Sequence, residues 1–80
     1  MRKSRELLLR FYHDKEFRFD EVTICYVDRG APNDTSCAPG ERIKALGPGF
    51  IEIESETGIT SIPYHRLLQI RYKGIPVWEK

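Results

Sequence analysis

Eighty residues suffice for one compact domain, read as spanning 1–80, and are too few for two. A chain this short buries only about 60% of the surface its unfolded form exposes, so an enclosed catalytic cavity is hard to build and a surface site is easier. The 13 basic and 12 acidic residues leave a net charge of +1, which excludes a strong long-range field for polyanions and gives any recruitment to local clusters.

Ser4 reads as an N-cap, with Glu6 in the positive first turn and Arg10 one helical turn beyond it. Leu7, Leu8, Phe11 and Tyr12 form an apolar stripe, which predicts a helix over about 4–14. So short a helix is marginal alone and has to pack on something. His13 to Asp20 is polar apart from Phe17 and Phe19, and reads as a loop that pins two rings to the core. Val22 to Asp28 is β-branched and aromatic on both faces, as a central, doubly covered strand requires. Arg29 to Gly40 is broken by Gly30, Pro32, Pro39 and Gly40 and reads as an irregular connection.

Ile43 to Leu46 is a short strand, and Gly47-Pro48-Gly49 turns the chain. Ile51 and Ile53 alternate with Glu52 and Glu54, so that strand shows one face to the core and one to water. Ser55 to Gly58 is a hairpin turn, Ile59 to Ile62 is the return strand, and Pro63 stops it. Leu67–Tyr72 and Ile75–Glu79 flank Lys73-Gly74, a two-residue hairpin loop. That spacing opposes Tyr72 to Ile75 and Ile70 to Val77 on one face, and Arg71 to Pro76 and Gln69 to Trp78 on the other. Pro76 has no N–H to donate, so its strand belongs at a sheet edge. The fold class is α+β: an N-terminal helix packed on an antiparallel sheet of four or five strands that could curl toward a barrel.

No signal peptide or apolar span is seen, so the chain is expected to be cytoplasmic with no membrane partner. Both ends carry an excess of Lys and Arg, while Glu52, Glu54 and Glu56 make an acidic stretch between them; if the termini meet, one side is basic. Cys25 and Cys37 form no CxxC pair, and the default is two reduced thiols. A bridge is the alternative if the source is a hyperthermophile. Asn33-Asp34-Thr35 fits a glycosylation sequon, discounted without a secretory signal.

Three features could carry chemistry. Arg29 follows the central strand and offers a planar fork of donors for phosphate, with Gly30, Pro32 and Asp34 shaping its loop. The alternative is that Arg29 braces the loop by pairing with Asp28 or Asp34. Tyr64-His65-Arg66, held between two strands, joins a ring, an imidazole and a guanidinium, as stacking and phosphate binding require. Against this, Tyr64 could be a core ring with a satisfied hydroxyl. Trp78, beside Arg71, could stack on a base or cover the core under the helix. No metal-ligand spacing, phosphate loop or nucleophile elbow occurs, so no metal, cofactor or catalytic residue is assigned.

The run from Tyr26 to Asp34, then Pro39-Gly40, Ile62 to Arg66 and Ile70 to Trp78 resembles the RNA cyclic group end recognition domain. Its members are small archaeal proteins, and the domain also occurs fused to larger eukaryotic ones. The resemblance implies binding of RNA 3′ ends bearing a 2′,3′-cyclic phosphate or a related group, in association with RNA-processing enzymes. On this chain it points to Arg29, Tyr64, His65 and Arg66 as the binding residues. Two other classes of function stay open. One is a metal-independent cyclic phosphodiesterase or ribonuclease using His65 with His13; the other is a protein-interaction domain using the edge strand of Pro76.

Overall fold

A computed structural model describes residues 3–80. Helix α1 (Lys3–His13) is followed by seven strands: β1 (Val22–Val27), β2 (Thr35–Pro39), β3 (Ile43–Leu46), β4 (Phe50–Ser55), β5 (Gly58–Pro63), β6 (Leu67–Tyr72) and β7 (Ile75–Glu79). They form two antiparallel sheets, one ordered β2-β1-β6-β7 and the other β3-β4-β5. The class is α+β with a helix against a four-stranded sheet, but the expected single, barrel-like sheet is corrected: neither sheet closes, and a second one of three strands stands apart. The chain changes sheets twice, each time through a 3-10 turn: Gly40–Arg42 leads from β2 to β3, and Tyr64–Arg66 leads from β5 to β6.

The core is one cluster that draws on α1 and both sheets. Leu8 and Phe11 meet Val22, Ile24, Leu67 and Ile70 from the larger sheet, together with Ile51, Ile53 and Ile62 from the smaller. The alternation read in β4 appears directly, with Ile51 and Ile53 buried and Glu52 and Glu54 turned toward water. Phe17 and Phe19 pack against this cluster, and the Phe11 ring stacks on Tyr72 with centroids 4.9 Å apart. Helix α1 is already formed at Lys3, so Ser4 lies inside it, buried, and does not cap it from outside.

Two further corrections concern strands. The segment read as irregular contains β2, paired in register with β1 from Thr35 opposite Val27 to Pro39 opposite Thr23. Within that pair Cys25 faces Cys37, and the two are joined as a disulfide with 4.0 Å between their Cα atoms, so the default of free thiols does not hold. In the last hairpin Tyr72 opposes Ile75 and Arg71 opposes Pro76 as expected, but Ile70 then opposes Trp78. A bulge takes up Val77, which is exposed, and this moves Trp78 onto the buried face and away from Arg71. Pro76 does sit on an edge strand.

One glycine is fixed by proximity. A Cβ on Gly40 would stand 2.0 Å from the backbone oxygen of Phe19, where the turn before β1 crosses the turn after β2. Gly40→Ala is therefore expected to destabilise the fold by about 1–3 kcal/mol, read as a lowered urea midpoint with an unchanged slope.

Candidate functional site

Arg29 is presented by a tight loop that bonds to itself. The Asp28 amide donates to the Asp34 carbonyl at 2.8 Å, and the Asp34 amide donates to the Ala31 carbonyl at 2.8 Å. Gly30 adopts φ +96°, which a side chain would oppose, and its amide donates to the Asp34 carboxylate at 3.2 Å. Pro32 opens the 3-10 turn Pro32–Asp34. Gly30, Pro32 and Asp34 thus shape the loop, Asp34 by accepting from within it. The carboxylates that could brace Arg29 are engaged elsewhere: Asp28 accepts from the Ser36 hydroxyl at 2.6 Å, and Asp34 from Gly30. The Arg29 guanidinium is exposed and forms no ion pair or hydrogen bond with any described residue.

The 3-10 turn Tyr64–Arg66 sends its three side chains in different directions, as a three-residue turn must. Tyr64 points inward, 3% exposed, and its hydroxyl donates to the Gly47 carbonyl at 2.7 Å. Its ring is a core ring and offers no face to a base. Arg66 points outward into a groove of about 430 Å³ between the end of β1 and strand β5. Arg29 lines that same groove, with Tyr26, Asp28, Thr60 and Ser61. His65 points to a different concavity, shared with Lys3, Trp78 and Lys80. The structure therefore joins Arg29 to Arg66 and separates both from His65 and Trp78.

Sequence reasoning missed Tyr26 and the β5 hydroxyls as lining residues. Thr60 and Ser61 are the polar, exposed interruption of an otherwise aliphatic return strand, and that was the available signal. Tyr26 is half-buried, and desolvation, followed by the charge of Asp28, raises its pKa above the ordinary 10.0. Its hydroxyl therefore stays a neutral donor at physiological pH. Desolvation also raises the pKa of Tyr64, against an opposing pull from Arg5.

These two shifts have a common sign. The unfolded chain loses the phenolic protons first, so stability that is intact below pH 10.0 falls as the pH rises through the folded-state values. Denaturant midpoints should drop as the pH rises past 10.0, and Tyr64→Phe should shallow that drop.

His13 and His65 do not converge. Lys3, at the start of α1, shares a concavity with His65, whereas His13 lies at the far end of that helix, about 15 Å along its axis.

The full chain, residues 1–80, matches the family model of the MJ1316 RNA cyclic group end recognition domain. A UPF0248 protein of Archaeoglobus fulgidus is 38% identical to it over 71 residues, which cover 89% of this chain and 96% of that protein. A UPF0248 protein of Thermococcus gammatolerans is 36% identical over 83 residues, covering 100% and 94% of the two chains. No solved structure matches it at a significant level. With the model matched end to end and the archaeal relatives aligned over nearly their whole length, this chain belongs to the RNA cyclic group end recognition domain family.

Proposed function

We propose that the chain is a non-catalytic module for RNA ends, and that the groove between β1 and β5 seats a terminal 2′,3′-cyclic phosphate. One observation carries this reading: Arg29 and Arg66, from distant segments, line one groove with neither guanidinium engaged by a described carboxylate. Two planar forks of donors lining one groove can grip the two free oxygens of a phosphodiester. The neutral Tyr26 hydroxyl and those of Thr60 and Ser61 can add donors to the same anion.

Asp28 sets the charge balance. Two guanidiniums and one carboxylate leave a single positive charge in the groove, which suits the monoanionic cyclic ester. A 3′-phosphomonoester carries up to two charges and meets the carboxylate with the surplus. Only one phosphate is held there, so affinity at this groove should decline shallowly with salt.

The test is a titration with short RNAs of one sequence that end in 2′,3′-cyclic phosphate, in 3′-phosphate or in hydroxyls. The cyclic end should bind tightest. Equal affinity for all three ends would remove the end-recognition claim. Within the family's link to RNA processing, such a module would hold a cleaved end for a partner enzyme.

A further inference from the structure

A second concave surface lies on the other side of the Tyr64–Arg66 turn. Two depressions, about 330 and about 180 Å³, share Lys3 and Trp78 as walls. The first adds Arg10 and Glu6 from α1, and the second adds His65 and Lys80. Together they make a track along α1 and β7 whose described lining residues include three cationic side chains, Lys3, Arg10 and Lys80, and one acidic one, Glu6. Lys3 and Arg10 form no ion pair with a described residue, and Lys80 donates to a backbone carbonyl, that of His65. Trp78 packs against the core and is only partly buried, at the middle of the track.

We infer that this track binds the single-stranded RNA that precedes the seated end, with a base stacked on Trp78 and phosphates at Lys3, Arg10 and Lys80. The inference rests on the end-binding reading for the direction in which the strand runs. An aromatic face among spaced cations is what sequence-tolerant single-strand binding uses. Continuity with the first groove supports one strand over two separate ligands. His65 and Arg66 are consecutive, with Cα atoms about 3.8 Å apart, and face the two surfaces from one ridge. A strand leaving the Arg66 groove meets the His65 side within one crossing of that turn.

The experiment uses the full chain and three probes: uridine 2′,3′-cyclic phosphate, a uridine tetranucleotide with a cyclic end, and the same tetranucleotide with a hydroxyl end. Trp78 is the sole tryptophan, so its fluorescence reports on the track alone. Both tetranucleotides should quench it and the mononucleotide should not. The cyclic tetranucleotide should bind at least about tenfold tighter than the mononucleotide, and Trp78→Ala should weaken it by about 5- to 150-fold. Because Trp78 touches the core, a second variant is paired with it: Lys3→Gln with Arg10→Gln, both exposed positions, should lower the log–log salt slope by about 1.4.

Quenching by the hydroxyl-ended tetranucleotide supports the track even if end selectivity fails. A mononucleotide that binds as tightly as the tetranucleotide, with Trp78 silent, overturns the track and leaves the end site standing. No binding by any probe overturns both.

Discussion

Replacing Arg29 and Arg66 together by Ala is expected to weaken binding of a cyclic-ended RNA between about a hundredfold and ten thousandfold. Each guanidinium contributes charged hydrogen bonds worth about 1.5–3 kcal/mol, and both act on one phosphate. Because they share that phosphate, the single substitutions should not add, and a double-mutant cycle should return a coupling of about 0.5–3 kcal/mol. Stability should move by no more than about 0.5 kcal/mol, since both side chains are exposed and neither is braced by a described neighbour. Arg29→Lys separates charge from shape: it keeps the cation, loses the fork, and should fall between wild type and Ala. Calorimetric titration with cyclic-ended RNA, run beside urea denaturation of the same samples, makes the measurement. A double variant that binds as well as the wild type would place the anion elsewhere.

The pairing of these two arginines marks how far sequence alone reached. Arg29 and Arg66 could each be named from their local setting, one after a central strand and the other between strands. Their meeting depends on β5 lying beside the end of β1, a relation between two sheets that no local pattern encodes. The fate of Tyr64 and His65 shows the opposite scale. Within three residues, a turn buries one ring, aims one imidazole at the helix side and aims one guanidinium at the groove. A cluster that is compact in sequence is thus divided in space by the period of the turn.

Strands were legible where apolar residues alternated or a hairpin glycine stood between them, as in β4, β5 and the Lys73-Gly74 turn. Strand β2, Thr-Ser-Cys-Ala-Pro, has small and polar residues and a terminal proline; its order comes from pairing along β1. In the last hairpin the spacing gives the partners of Tyr72 and Arg71 but fails at Val77, where the bulge inserts a residue that composition does not announce. That single residue decides whether Trp78 lies on the face of Arg71 or the face of Ile70. It therefore decides which surface owns the only indole.

The disulfide supports the weakest of these strands, and its removal should have the largest effect on stability. Cys25 is buried in β1, Cys37 lies opposite in edge strand β2, and the loop between them carries Arg29. A closed loop of 12 positions restrains the unfolded chain by about 3 kcal/mol. In a domain of this size that corresponds to a melting temperature lower by roughly 12–24 °C in reductant, or in Cys25→Ala with Cys37→Ser. The loss should begin locally. β2 contributes only Ala38 to the buried cluster and is an edge strand paired on one side alone, so its amides should exchange early while those of β6 stay protected. Arg29 would then be held by a frayed anchor, and cyclic-ended RNA should bind more weakly to the reduced protein even at temperatures where β1 and β6 remain paired. Equal melting temperatures with and without reductant, on samples whose thiol content has been titrated, would show that the β1–β2 pairing holds without the bridge.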